Sequence, residues 1–127
     1  MKIGMKILIA YDGSDYAKRA LSEAVELAKK FSGSITLLHV PWEESDEESH
    51  KLLASAADGL KGTGVKYNVR SERGQNIPRR ITRIATEENF DLITIGSRGM
   101  GGAKAWMLGS VSSEVIEEAT CPVLIVK

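Results

Sequence analysis

The residues with the most chemical potential lie between Gly96 and Ser110, in the stretch GSRGMGGAKAWMLGS. It follows the apolar run Leu92-Ile93-Thr94-Ile95 and precedes a helical pattern, so it reads as strand, glycine-rich loop, helix. Gly96, Gly99, Gly101, Gly102 and Gly109 remove side chains where a backbone must turn or approach another group closely. The helix start beyond them offers unpaired N–H groups and the positive end of the peptide dipoles, a place that suits a phosphate. The plainer alternative is a helix entrance with Ser110 as N-cap. Length favours the ligand: residues 97–109 exceed the about 2–6 residues usual for such a connection, and long connections in compact domains are usually functional or disordered.

Elements able to position this loop are given by hydrophobic periodicity. Lys6–Tyr11 reads as a strand apolar on both faces, ended by the turn Asp12-Gly13-Ser14, with Ser14 placed to cap the next element. From Asp15 to Phe31, apolar residues recur every three or four positions, which predicts an amphipathic helix stopped by Gly33. Ile35–Val40 is a second buried strand, and Glu43–Lys61 a second helix with an acidic start. Val65–Ser71 alternates only weakly, which suggests a strand near a sheet edge. Gly74–Asn89 predicts a third helix with Pro78 in its first turn, and Asp91–Ile95 a fourth strand. Val111, Val115, Ile116 and Ala119 mark a fourth helix before a last strand over Pro122–Val126.

Strands alternating with helices imply an α/β fold, a three-layer α/β/α sandwich around a five-stranded parallel sheet. The expected order is the flavodoxin-like 3-2-1-4-5. Ligands of such sheets bind beyond the carboxyl ends of the strands where the order reverses, here between strands 1 and 4. Asp12-Gly13-Ser14 and the glycine loop come directly after those two strands, so topology and glycine chemistry converge on one cleft.

Composition narrows the partners. With 127 residues, 43% hydrophobic and 27% charged, the chain reads as one ordinary globular domain over residues 1–127. Seventeen basic residues balance 17 acidic ones, so no global field favours nucleic acid or an anionic membrane. The single Cys121 excludes an internal disulfide and fits a reducing compartment. No export signal and no spanning stretch are read, which predicts a cytoplasmic protein.

Several chemistries drop out. A phospho-acceptor receiver needs clustered acids after strand 1 and an acceptor Asp after strand 3, where this chain has only Asp12 and Ser71-Glu72. A flavodoxin carries its phosphate loop after strand 1, and no Walker or complete Gly-x-Gly-x-x-Gly pattern is present. His39 and His50 have no neighbouring nucleophile and no acid cluster builds a metal site, so no catalytic or metal-ligating residue is assigned.

The remaining spacing, Gly96-x2-Gly99-x9-Gly109-Ser110, resembles the Gly-x2-Gly-x9-Gly-(Ser/Thr) motif of universal stress proteins of the ATP-binding class. The resemblance spans nearly the whole chain through Asp12-Gly13-Ser14, Leu38-His39-Val40, Asp91-Leu92-Ile93 and Cys121-Pro122-Val123. It implies ATP as ligand, with Mg2+ brought by its phosphates. Carried onto this chain, it sets Ala10 and Asp12 against adenine and ribose and makes Val40 a wall for the base. Gly96, Arg98 and Gly99 would follow the ribose and phosphates, and Gly109, Ser110, Val111 and Ser112 would meet the phosphate chain. The competing roles are a turn-shaping Asp12, a core Val40 and a solvated Arg98.

The chain is short between strand 2 and helix 2, where longer relatives carry an insertion, so no lid is expected there. The apolar triplet Trp106-Met107-Leu108 is expected to pack on the body. The resemblance further implies a homodimer paired through the uncharged strand 122–126, and an unidentified protein partner that reads nucleotide occupancy. The alternatives are a nucleotide-free dimeric interaction module and a slow ATPase.

Overall fold

The computed structural model describes residues 1–99 and 108–127. Five strands, β1 (Lys6–Ala10), β2 (Ser34–His39), β3 (Lys66–Ser71), β4 (Leu92–Gly96) and β5 (Val123–Val126), alternate with four helices, α1 (Asp15–Phe31), α2 (Asp46–Asp58), α3 (Ile77–Glu87) and α4 (Ser110–Glu118). All strand pairs are parallel, and the order is β3-β2-β1-β4-β5, as the alternating pattern predicts. The central strand β1 pairs Ile9 with Leu37 on one side and with Thr94 on the other.

The two-residue period of the strands divides the interior into two cores. Ile7 and Ile9 of β1 and Ile35 and Leu37 of β2 face one layer, where Ala17, Ala24 and Ala28 of α1 and Leu53 and Ala56 of α2 meet them. Leu8, Leu38, Ile93 and Ile95 face the other, against Ile81, Ile84 and Ala85 of α3 and Val115 of α4. The alanine stripe of α1 lets that helix lie close on the sheet. β3 is the exposed edge expected from its weak alternation, with Tyr67 and Val69 open to solvent.

Element ends differ from the sequence reading in instructive places. The left-handed residue that ends α1 is Ser32 (φ 53°), not Gly33. Gly33 is needed next door, where a Cβ would come within 2.6 Å of the Met5 carbonyl oxygen. Helix α2 starts at Asp46 rather than Glu43, because Ser45 and Glu48 form a reciprocal capping box and Glu44 is drawn into the preceding loop. Helix α3 starts at Ile77, with the Asn76 side chain accepting from the Arg79 N–H, and carries Pro78 in its first turn as expected. In α4 the N-cap is Gly109 and Ser110 is the first helical residue. Of the four apolar residues that mark α4 in the sequence, Val115 is fully buried and Ile116 is 45% exposed. Leu108 is also exposed rather than packed on the body, while Trp106 and Met107, with the rest of residues 100–107, lie outside the described residues.

Candidate functional site

At the carboxyl ends of β1, β2 and β4 the structure holds an open cavity of about 700 Å3, a size suited to a small-molecule ligand. Its floor and one side are apolar: Ala10, Leu38 and Val40 from β1, β2 and the chain just beyond, Ile77 and Ile81 from α3, and Ile95 from β4. The opposite end is formed by Arg98, Gly99 and the start of α4.

Between the two ends stands Asp12. Its Oδ1 accepts the Ser14 N–H at 2.9 Å, which fixes the turn, and Gly13 supplies the positive φ (+83°) that the turn requires. Ser14 in turn caps α1 by accepting from the Ala17 N–H at 3.1 Å. Asp12 Oδ2 lies against Gly99, where an added Cβ would stand 2.8 Å from it. The carboxylate therefore both shapes its turn and remains exposed in the cavity.

The start of α4 is built without a side-chain cap. Gly109 has none to offer, and its own N–H is spent on the Ser97 carbonyl at 2.7 Å. The next three amides, of Ser110, Val111 and Ser112, fall in the first turn, where helix geometry provides no intrahelical acceptor. The Ser112 hydroxyl donates to Ser97 O at 2.9 Å, with Gly109 O also in reach at 3.1 Å, so it is engaged within the protein. The Ser112 and Gly109 bonds to the Ser97 carbonyl tie the helix start to the residue that follows β4. Arg98, read in sequence as a potential solvated charge, is 7% exposed.

The remaining wall comes from the connection between β2 and α2. His39, 2% exposed, places Nδ1 2.7 Å from the Ser49 hydroxyl and Nε2 3.0 Å from Glu44 Oε2. Ser49 continues to the Ser71 hydroxyl at 2.7 Å. Burial pulls the Glu44 carboxyl upward, but N–H bonds from the main chain, that of Trp42 among them, and the adjoining His39 ring prevail and hold it below the ordinary carboxylate range. Burial, helped by the charge of Asp12, raises the neighbouring Tyr11 phenol above its usual value.

Residues 5–127 match the profile described as the universal stress protein family. The chain belongs to the universal stress protein family. Universal stress protein YxiE of Bacillus subtilis (strain 168) is 35% identical over 146 aligned positions, covering 96% of this chain and 98% of that protein. Among solved structures, the hypothetical protein MJ0577 superposes with a TM-score of 0.84 at 30% identity, covering 98% of this chain and 96% of that one. The universal stress protein from Archaeoglobus fulgidus in complex with dAMP superposes at 0.78 with 28% identity, covering 98% of this chain and 99% of that one.

In this universal stress protein the ten positions singled out from sequence, Ala10, Asp12, Val40, Gly96, Arg98, Gly99, Gly109, Ser110, Val111 and Ser112, all border the cavity. They do not share one kind of role. Val40, at 6% exposure, belongs to the second core as well as to the wall. Gly96 borders the cavity, yet its missing Cβ is demanded by the body: that atom would sit 2.7 Å from Tyr16 Cβ and 2.8 Å from the Tyr16 carbonyl carbon. Sequence reasoning missed Tyr11, His39, Trp42 and Glu44 as lining residues. His39 ends a buried strand with a polar ring and Trp42 follows Pro41 beyond the carboxyl end of β2, two signals that could have pointed to them.

Proposed function

We propose that this protein binds an adenine nucleotide, ATP with its accompanying Mg2+ foremost, in the cavity between β1 and β4, and that occupancy acts as a switch read by a protein partner. The observation that carries the reading is the layout of the cavity: an apolar face of Ala10, Val40, Ile77 and Ile81 flanked by the β2–α2 connection with His39, Glu43 and Glu44, then the Asp12 carboxylate, then the uncapped first turn of α4. An adenosine phosphate has the same order of parts. The base would lie along Val40 and Ala10, the ribose hydroxyls would donate to Asp12, and the phosphates would accept from the amides of Ser110–Ser112 with Gly99 and Arg98 alongside. The relative from Archaeoglobus fulgidus held with dAMP supports this class of ligand. In this reading a metal ion would enter with the phosphates.

In this reading residues 1–127 form a single nucleotide-binding domain that works in the cytoplasm as a homodimer. Support for the dimer comes from β5, which stands at the sheet edge with the uncharged sequence Val-Leu-Ile-Val. No helix among the described residues is long and apolar enough to cross a membrane. The deciding experiment is isothermal titration of the purified protein with ATP, ADP, AMP and cyclic AMP, together with analysis of the nucleotide released on denaturation. Saturable binding by at least one of them is expected. Absence of both binding and released nucleotide rejects the reading, and repeated ATP turnover lost in Gly109 variants would replace it with hydrolysis.

A further inference from the structure

The cavity has one wall whose construction is out of proportion to any need of the fold. Trp42 borders the apolar end of the cavity while leaving 61% of its surface in solvent. A large indole left so open forgoes most of the free energy that burial would provide.

The loop that carries it is nevertheless tied down on both sides. Glu44 Oε1 accepts the N–H groups of Trp42 and Glu43, each at 3.1 Å, while its Oε2 meets His39 at 3.0 Å. From the other side the Arg73 guanidinium donates to the Glu44 carbonyl at 2.7 Å, to Asp46 at 3.1 Å and to the Trp42 carbonyl at 3.5 Å. Main-chain donors and acceptors on both sides of the indole are therefore engaged, and behind them His39 is fixed by Ser49. A rigid loop presenting an open aromatic face is the arrangement that makes stacking on a planar ligand effective, because the ordering cost is met before the ligand arrives.

We propose that Trp42 is the outer wall of the base end of this cavity, its indole stacking on the purine opposite the Val40 side, with Glu44 and Arg73 as positioning residues. The inference rests on the nucleotide reading and adds a residue and a contact to it.

The test is titration of the whole protein with AMP and with ribose 5-phosphate, which shares the sugar and phosphate but has no base to stack. Trp42→Ala is expected to weaken AMP about fivefold or more and leave ribose 5-phosphate unchanged, while Trp42→Phe keeps AMP within about twofold. In a Trp106→Phe background, where Trp42 is the only indole, AMP should quench the emission and ribose 5-phosphate should not. Arg73→Ala, which leaves the indole in place but frees its loop, is expected to weaken AMP selectively too. Unchanged AMP binding in Trp42→Ala, or equal weakening of both ligands, overturns the proposal. A wild-type protein that binds neither ligand rejects the nucleotide reading itself, so the two failures are distinguishable.

Discussion

Asp12 and Gly99 face each other across the cavity so closely that a single methyl group on Gly99 would stand 2.8 Å from the Asp12 Oδ2 atom. The atom in the way is the end of a side chain, which can rotate aside. Gly99→Ala is therefore expected to cost at most the Asp12–Ser14 hydrogen bond, about 1 kcal/mol, while displacing the carboxylate and weakening nucleotide binding. Asp12→Ala should weaken nucleotides to a similar degree without the steric cause. Calorimetric unfolding paired with titration checks both, and an affinity indifferent to both substitutions would remove Asp12 from the site.

Gly96 makes the opposite prediction from the same motif. Its added Cβ would meet Tyr16 and the Ala17 main-chain nitrogen, at 3.1 Å for the latter, within the first turn of α1. Main chain cannot rotate away, so Gly96→Ala must push α1 off β4 and should cost about 1–3 kcal/mol, the range usual for overpacking. Urea unfolding measures it directly. A stability loss no greater than that of Gly99→Ala would show that α1 gives way more easily than its close packing implies.

At Gly109 the body leaves room, since the nearest atom to an added Cβ is Arg98 Cα at 3.4 Å, an ordinary contact. An aspartate there would cap α4 with its own carboxylate and occupy the first-turn amides internally. Gly109→Asp is expected to keep or raise stability by a few tenths of a kcal/mol and to weaken any phosphate-bearing ligand at least tenfold. Stability and affinity moving in opposite directions is the signature to look for by denaturant titration and calorimetry. A variant that gained stability yet bound as before would mean that the phosphates do not sit at this helix start.

The layout of these positions was legible in the sequence because it depends on periodicities and on glycine. Alternation of strands and helices points to a doubly wound parallel sheet, for which 3-2-1-4-5 is the natural order, and the sheet has that order, with Asp12 beside Gly99. The hidden part depended on side chains choosing among partners. Glu43 and Glu44 read as the acidic start of a helix, yet Glu44 makes better use of its carboxylate by gathering the Trp42 and Glu43 amides beside His39, and the helix begins at Asp46. Likewise Gly33 read as a helix stop because glycine favours positive φ, whereas the constraint on it is the Met5 carbonyl and the left-handed turn falls to Ser32.

The Glu44 contact makes the rim of the cavity sensitive to acid. With its folded pKa held below the ordinary value of 4.5, the unfolded chain binds the proton more readily. The stabilisation is thus fully present above that ordinary value and is lost as pH falls through the lower, folded one. Trp42 fluorescence in the Trp106→Phe background should stay constant at neutral pH and change below about pH 4.5, and Glu44→Gln should abolish the change. A transition that persists in Glu44→Gln would assign it to another group.

Edge strand β5 offers a prediction about assembly that separates pairing from folding. Ile93 donates to the Pro122 carbonyl and Ser97 to the Val126 carbonyl, so residues 122, 124 and 126 direct their main-chain groups toward β4. By the alternation of a parallel ladder, the groups of Val123 and Ile125 point away from the sheet, where a second copy would pair. Proline at an outward-facing edge position leaves the internal ladder intact because the lost N–H had no partner within the sheet. Ile125→Pro is therefore expected to convert a dimeric protein to a monomer by light scattering while its far-ultraviolet circular dichroism keeps the wild-type form. If the variant folds and remains dimeric, pairing does not run through β5, and the uncharged character of residues 123–126 serves only the contact of this strand with the two cores.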